Sequence, residues 1–417
     1  MEKSVTKALL MTALITNSLV VGAVTVFAEE SLTEYTLDTM VVTATRTEKR
    51  DVDVPASTEI ITYEDIVDSG SVNAMEAVSK MLGVDYNTYL PGGSAQTSMT
   101  NEINVRGFSY GTLILVNGNP INLNNTYVID AIPAEAIERI EVVKGGGSVL
   151  YGSEAQSGVI NIITKKKISN KVRAGFGNYK QQQYNVAVGD DKLKINYDLK
   201  KWGYVKEARY TAANTYTNLK ESSNENIGIG YNFNDQLSFE YNHLDTEVSY
   251  ESLKKGRLNS FTDSSNKQDL IQLNYNGNKT KSHAWFNKTK LDYAGSNARN
   301  LFENESFGAD LQQNIELNDK SLLTVGGVYK REVYNSKLKR GKPGIGKKAR
   351  NQMGLFAQLD YKFNDKDNVI IGGRGTWTSS ESNGQSYDNF STSAQYIHKQ
   401  LINFSDKFDS FMMIHLL

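Results

Sequence analysis

The residue types that most often perform chemistry are sparse in this sequence. Cysteine is absent, which excludes disulfides, thiolate metal sites and a thiol nucleophile. No histidine precedes His243, and no two histidines stand at metal-ligand spacing. The run Gly145-Gly146-Gly147 is followed by Ser148 and lacks the Lys-Ser/Thr ending of a phosphate-binding loop. Since no nucleophile, base and orienting residue form a set, we expect no enzyme, no catalytic residue, no metal and no cofactor.

The elements around this glycine run are short strands and one-turn helices. Ile103 and Val105 alternate with polar neighbours, and 113–116 is a second apolar run followed by Asn117-Gly118, a strong hairpin signal. Further apolar runs at 140–143 and 159–163 predict two more strands. Upstream, Thr62 begins a capping-box-like helix start, and Ser71 is predicted to cap a second helix. The pattern predicts a compact α+β domain.

From Lys171 onward the sequence alternates apolar and polar residues in strand-length segments. Five turn dipeptides recur every 42 to 46 residues: Asp190-Asp191, Asn234-Asp235, Asn276-Gly277, Asn318-Asp319 and Asn364-Asp365. A membrane strand needs about 9–11 residues, so each period holds two strands, a short turn and a longer loop. The pattern favours an antiparallel transmembrane barrel over a soluble β-sandwich.

The long connections at 200–210 and 337–350 are rich in basic residues, which suit an anionic ligand, lipopolysaccharide phosphates or simple solubility.

The first 50 residues indicate export. Lys3 and Lys7 precede an apolar run that ends at Val26-Phe27-Ala28, so residues 1–28 are predicted to be a cleaved signal peptide. The stretch 40–43 that follows is short and β-prone. It is either part of a linker or a segment that adds to the sheet edge of a partner through main-chain hydrogen bonds.

Five sequence pieces, in this order, resemble one known family: DTMVVTATR (38–46), VRGF (105–108), LILVNG (113–118), IERIEVVKG (137–145) and LYGSEAQSGVINIITKK (150–166). They resemble the plug domain of TonB-dependent outer-membrane receptors, followed here by the N-terminal half of the β-barrel. Gly146 departs from the family, which often has proline there. The resemblance implies a TonB box and linker at 29–50, a plug at 51–168 and a partial barrel at 169–417.

The same resemblance implies a length that this chain does not reach. Barrels of the family close at about 22 strands. We count about eleven or twelve from Lys171 before the alternation fails near residue 399. The expectation is therefore a barrel truncated at about half its strands. A non-transporting receptor fragment remains an alternative to a working transporter.

The resemblance also implies sites and partners. The TonB box maps to Asp38, Thr39, Met40, Val41 and Val42, and its partner is the periplasmic protein TonB. Candidate ligand contacts on the apical plug loop are Tyr86, Tyr89, Leu90 and Gln96, and Arg106 is predicted to join the plug to the barrel. We expect uptake of a ferric siderophore, with cobalamin or haem left open. We expect an outer-membrane location with lipid and lipopolysaccharide contacts, and no nucleic-acid partner.

Overall fold

The fold is known from a computed structural model, which describes residues 40–41, 49–50, 57–86, 103–108, 111–122, 127–145, 148–212, 214–296, 298–381 and 386–398. The predicted signal peptide lies outside these residues. So do Asp38, Thr39 and Val42 of the predicted box, and Tyr89, Leu90 and Gln96 of the predicted ligand loop. No helix among the described residues combines the length and apolarity needed to cross a membrane.

The N-terminal half contains three small sheets. Two are two-stranded ladders: β1 (Met40–Val41) with β2 (Lys49–Arg50), and β4 (Val84–Tyr86) with β5 (Ile103–Val105). The third has five strands: β3 (Ser57–Thr62), β6 (Thr112–Val116), β7 (Asn119–Pro120), β8 (Ile137–Lys144) and β9 (Gly158–Thr164). Its order is β3-β8-β9-β6-β7, with only the β6–β9 pair parallel. We call this half the plug.

Short helices pack on the plug sheet: α1 (Tyr63–Asp68), α2 (Ala74–Ser79) and α3 (Ser148–Tyr151), with 3-10 turns at Ala134–Ala136 and Ser153–Ala155. The capping box predicted at Thr62 is confirmed, because its Oγ1 accepts a hydrogen bond from Asp65 N at 3.2 Å. The cap predicted at Ser71 is wrong. α2 begins after Asn73, whose extended backbone directs Oδ1 to Glu76 N at 2.9 Å.

The second half is one antiparallel sheet, which we call the wall. In the described part of the chain it has thirteen strands: β10 (Lys171–Gly177), β11 (Gln181–Gly189), β12 (Leu193–Trp202), β13 (Val205–Ala212), β14 (Thr215–Asn232), β15 (Leu237–Lys254), β16 (Arg257–Asn276), β17 (Thr280–Gly295), β18 (Ala298–Asn318), β19 (Ser321–Lys339), β20 (Lys342–Lys362), β21 (Asp367–Ser380) and β22 (Tyr387–His398). β10 and β11 are joined by the 3-10 turn Asn178–Lys180. Consecutive strands pair, except that β12 and β13 both pair with β14. β12 and β13 are two parts of one strand that is broken at Gly203-Tyr204. Counted as one strand, they reduce the thirteen strands to the upper end of the eleven or twelve expected.

The wall is polar on its buried face and apolar on its exposed face. Gln268, Gln272 and Asn287 are 0–1% exposed, whereas Ile271 and Leu311 are 40% and 55% exposed. Because neighbouring positions on a strand point to opposite faces, this reverses the arrangement of a soluble sandwich. The predicted apolar-out, polar-in alternation is therefore confirmed.

The five predicted turns are all present at one end of the wall, which we call the linker end. Asn234 shows how they form: its Oδ1 accepts hydrogen bonds from Gln236 N and Leu237 N at 2.9 and 2.8 Å. Asp190 and Asn364 make the same pair of bonds. The long loops predicted at the other end are not loops. Residues 337–350 lie in β19, β20 and the tight turn between them, so the hairpin continues beyond the apolar band.

Candidate functional site

The predicted ligand site is described only in part. Tyr86 ends β4, and the rest of the proposed loop lies outside the described residues. Arg106 follows β5 with a φ of 54°, its backbone N donates to Gly83 O at 2.8 Å, and its side chain is exposed. Among the residues that the structure describes, the ion pairs between residues before 169 and the wall use Glu135, Glu154 and Lys167 instead. The contact assigned to Arg106 stays a prediction.

The ionic contact with two cationic partners on the wall surrounds Glu154, in the 3-10 turn between α3 and β9. Lys330 Nζ donates to both carboxylate oxygens of Glu154 at 3.0 Å. Arg350 Nη2 donates to Glu154 Oε1, also at 3.0 Å. Glu332 completes the group, because it pairs with Lys330 at 3.0 Å and with Arg350. We call these four residues the Glu154 cluster; its two cations and two carboxylates balance in charge.

A buried arginine and a glycine support the turn that carries Glu154. Arg374, 4% exposed, reaches from β21 and donates through Nη1 to Leu150 O at 3.3 Å. Gly152 has a φ of +90°, and a Cβ there would lie 3.4 Å from Arg374 Nη2. A side chain at this position would be strained and would press on the guanidinium, so glycine fits here.

Nearer the linker end, Lys194 and Glu240 make a second polar contact with the plug. Lys194 Nζ donates to Glu240 Oε1 and to Lys165 O, both at 2.8 Å. Asn117 Nδ2 donates to Glu240 Oε2 and, at 2.9 Å, to Thr164 Oγ1. The side chains of Lys194 and Glu240 are 11% and 10% exposed. The contact therefore ties the β6–β7 hairpin of the plug to two wall strands.

Neutral amides hold the plug segment that runs from β6 to residue 128. Gln268 donates through Nε2 to Ile121 O at 2.9 Å and accepts from Val128 N at 3.1 Å. Asn287 Nδ2 also donates to Ile121 O, and Gln272 Nε2 donates to the carbonyl at the end of β6. These side chains occupy the positions that a neighbouring strand would take. Leu244 and Leu270 pack beside them against the plug core.

Asp130 is the exception to this pairing. Its side chain is 2% exposed, and neither carboxylate oxygen has a hydrogen-bond partner among the described residues. Burial raises the pKa of Asp130 to about 7, because the charged form loses its hydration. Its backbone carbonyl accepts a hydrogen bond from Asn224 Nδ2 of the wall at 3.4 Å. This carboxyl therefore titrates near neutral pH inside the plug.

Sequence reasoning missed the Glu154 cluster. Lys330 and Glu332 stand two residues apart between the outward-facing Tyr329, Arg331 and Val333, so alternation alone places both charges on the inner face. That signal was present in the sequence. The partner on the plug had no signal, because Glu154 is 176 residues from Lys330.

The polar contacts described between plug and wall are hydrogen bonds and ion pairs. Within the described ranges, no group of three or more histidine, aspartate or glutamate residues is placed to hold a metal ion. The inner face instead presents amides and balanced ion pairs to the plug. Such contacts hold a domain in place without a continuous apolar interface, so they are reversible.

Comparison with known proteins agrees with this geometry. The family description "TonB-dependent Receptor Plug Domain" matches residues 50–159, and "TonB dependent receptor-like, beta-barrel" matches residues 165–408. The vitamin B12 transporter BtuB of Vibrio vulnificus (strain CMCP6) is 36% identical over 155 residues, which are 36% of this chain and 25% of that protein.

Solved structures share the fold at low identity. The ferripyoverdine receptor of the outer membrane of Pseudomonas aeruginosa has a TM-score of 0.61 and 14% identity, over 87% of this chain and 57% of that one. The alcaligin outer-membrane receptor FauA of Bordetella pertussis has a TM-score of 0.59 and 13% identity, over 88% and 63%. The chain thus spans about three fifths of the length of these structures and a quarter of the transporter.

Proposed function

The chain belongs to the TonB-dependent receptor family, and on that premise we propose that it acts in the active uptake of a scarce nutrient across the outer membrane. The observation that carries the proposal is the plug held by polar, reversible contacts against a wall with an apolar outer face. A polar inner face suits a water-filled lumen, and an apolar outer face suits lipid. The proposed location is the outer membrane, reached through a signal peptide at 1–28, with lipopolysaccharide as a neighbour of the outer strands.

Energy is proposed to enter through the box at 38–42. Met40 and Val41 have extended backbone and pair with Arg50 and Lys49. This supports a segment that binds by strand addition, in which main-chain groups supply the hydrogen bonds. The proposed partner is TonB.

The favoured cargo is a ferric siderophore, bound by Tyr86, Tyr89, Leu90 and Gln96 on the apical loop of the plug. Aromatic and amide side chains suit a large ligand with polar and apolar faces. Cobalamin is the second candidate, because the relative from Vibrio vulnificus is a vitamin B12 transporter. Arg106 is proposed as a further contact between plug and barrel.

Two measurements test this function in the receptor that contains this chain. The first is equilibrium binding to ferric hydroxamate, ferric catecholate, cyanocobalamin and haem; binding of none of them would contradict the proposal. The second is energised uptake by Val41→Pro, which removes a main-chain donor that strand addition needs. We expect uptake to be lost and binding to be unchanged. Val41→Ile keeps the donor and should transport normally, and equal uptake by the proline variant would exclude the role given to the box.

A further inference from the structure

The apolar band on the outer face of the wall has two different heights. On each strand we measure it from the turn at the linker end to the last outward-facing apolar or aromatic side chain before one that can carry charge. On β14, β15 and β16 this side chain is five to seven residues from the turn: Ile227, Tyr241 and Ile271. On β18 and β19 it is eleven and ten residues from the turn: Phe307 and Tyr329. The band is therefore little more than half as high on the first three strands.

Converted to height, the difference is large compared with the thickness of a bilayer. A strand rises ~3.3 Å per residue and tilts by about 40° in a membrane wall, so each residue adds about 2.5 Å of height. The band is then roughly 13–18 Å high over β14–β16 and roughly 25–28 Å high over β18 and β19. An outer-membrane wall normally presents about 25 Å to lipid. β18 and β19 match that thickness, whereas the side formed by β14–β16, which we call the short side, falls roughly 10 Å short of β18 and β19.

The next outward-facing positions on the short side carry charges that are bonded to one another. Asp269 accepts a hydrogen bond from Tyr241 Oη at 2.9 Å, and its carboxylate lies 2.8 Å from His243 Nδ1. Lys267, two positions farther from the turn than Asp269, donates through Nζ to Asp245 Oδ2 at 2.5 Å. The side chains of Asp269 and Lys267 remain 37% and 40% exposed. These groups need a polar medium around them, because hydrocarbon cannot replace the hydration of an exposed charge.

Two lysines on the neighbouring strand β17 continue this polar face. Lys288 pairs in register with Asp269, and Lys290 pairs with Lys267. Both lysines are exposed. Lys288 lies 3.5 Å from Glu305, whereas Lys290 has no ion-pair partner among the residues that the structure describes. Since a long lysine side chain can reach a phosphate at the membrane surface, this face fits the anionic headgroups of lipids.

We propose, resting on the outer-membrane location proposed above, that the short side and β17 bind phosphate-bearing lipid headgroups and thin the membrane beside them. A membrane protein whose apolar length is too short is accommodated by a thinner bilayer or by oligomerising. Thinning fits this face better than a second copy of the chain, because its charges are already paired within the wall and Lys290 is left for a phosphate. The membrane around the receptor is then distorted on one side only.

The first test measures membrane depth at two matched sites in the receptor that contains this chain. Ile227→Cys on β14 and Leu311→Cys on β18 both face outward, seven residues from their turns, and neither change removes a charge. A nitroxide attached at each site reports depth through its collisions with oxygen and with a water-soluble nickel chelate in vesicles of phosphatidylethanolamine and phosphatidylglycerol. We expect the nitroxide at 311 to lie roughly 10 Å deeper than the nitroxide at 227.

The other outcomes of this test separate the proposal from the receptor function. Equal depth at the two sites, both within the hydrocarbon, overturns the thinning. Spin–spin broadening at 227 would mean that a second copy of the chain covers the short side, which overturns the lipid contact. Free access of the nickel chelate to both sites would mean that the wall does not cross a membrane, which overturns the location proposed for the receptor itself.

The second test concerns the phosphate. The purified receptor is titrated with lipid A in detergent micelles and, in parallel, with inorganic phosphate. Lys288→Gln combined with Lys290→Gln should weaken lipid A binding at least about fivefold, which is the contribution of one lysine near an anionic surface. Lys339→Gln combined with Lys342→Gln is the matched control, because these exposed lysines lie at the tip of the β19–β20 hairpin, and it should stay within about twofold of wild type. Equal lipid A binding by wild type and the first variant overturns the headgroup site, and binding of inorganic phosphate in place of lipid A overturns the assignment to a lipid.

Discussion

Replacing Glu154 with glutamine should loosen the plug more than any single change on the outer face of the wall. The substitution keeps the shape of the side chain but removes its charge. Lys330 then faces only Glu332, which it shares with Arg350, so the cluster carries one uncompensated positive charge. The side chains of Lys330 and Glu332 are 11% and 10% exposed, so water compensates that charge poorly.

The magnitude lies between two limits. An exposed ion pair contributes about 0–1 kcal/mol, whereas removing one partner of a buried pair costs about 3–5 kcal/mol. Glu154 is 31% exposed and Arg350 is 41% exposed, so the cluster is only partly buried. We expect Glu154→Gln to lower the free energy of plug detachment by roughly 2–3 kcal/mol. At ~1.4 kcal/mol per factor of ten, the detached population rises about 30- to 140-fold.

Thiol labelling measures this population directly. Val149→Cys places a small reporter on α3 at a site that is 3% exposed and lies against Gly372 of the wall, so its labelling rate follows separation of plug and wall. Lys288–Glu305 is the control pair on the outer face, with 47% and 44% exposure at 3.5 Å, and Glu305→Gln should change the rate less than fivefold. Adding Lys330→Met to Glu154→Gln restores charge balance and should recover most of the loss. A Glu154→Gln rate within threefold of wild type would refute the assignment of this cluster as the main ionic contact.

Three further changes probe the remaining contacts. Gln268→Leu leaves Ile121 O with one donor fewer and Val128 N without its acceptor, which should cost about 1–3 kcal/mol of plug attachment. Labelling at Val149→Cys should therefore rise about 5- to 140-fold and, unlike the effect at Glu154, should not depend on salt. Asp130 has its pKa raised to about 7, so the folded plug holds a proton that the unfolded chain releases; plug stability should fall as pH rises from about 4 to 7. Asp130→Asn should remove that slope and raise the urea midpoint at pH 8, and an unchanged pH profile would show that this carboxyl is not protonated in the fold. Asn364→Ala removes the acceptor for Lys366 N and Asp367 N and should cost about 1 kcal/mol in urea unfolding, with the β20–β21 register unchanged.

Local chemistry allowed the sequence to predict the wall and its turns. Alternation fixes which side chains face inward once the strand is recognised, and Asn or Asp at a turn bonds its own main chain two and three residues on. Each of these signals involves residues only a few positions apart in the sequence. The same locality explains the correct capping box at Thr62 and the error at Ser71, since two residues of comparable capping tendency stand two positions apart.

Contacts between plug and wall were beyond prediction because they depend on the register of many strands at once. Lys330 meets Glu154 only if every hairpin from β10 to β19 keeps its pairing, and a one-residue slip would turn Lys330 outward. The contact expected of Arg106 rests on its residue type, an arginine that can form ion pairs, because the sequence does not show which wall residue its side chain would meet. Residues 337–350 have the sequence pattern of a loop because basic residues interrupt the apolar alternation there, although the backbone pairing of β19 and β20 continues without apolar side chains.

The order of strands in the plug sheet predicts the order in which the plug leaves the wall. β3 is the first strand of the five-stranded sheet in chain order after the box, and at the edge of that sheet it pairs with β8. β7 is at the opposite edge, beside the amides that bind Ile121. If the proposed partner pulls on the proposed box at 38–42, we expect the force to reach β3 first and the Glu154 cluster, which follows α3, to yield before the amide-held edge does. Single cysteines at Thr58 and Asn119 separate the two edges: when the partner pulls, labelling at Thr58→Cys should precede labelling at Asn119→Cys. Simultaneous labelling would mean that the plug leaves the wall as one rigid body. The predicted order, in which the ionic contacts break before the amide contacts, would then be wrong.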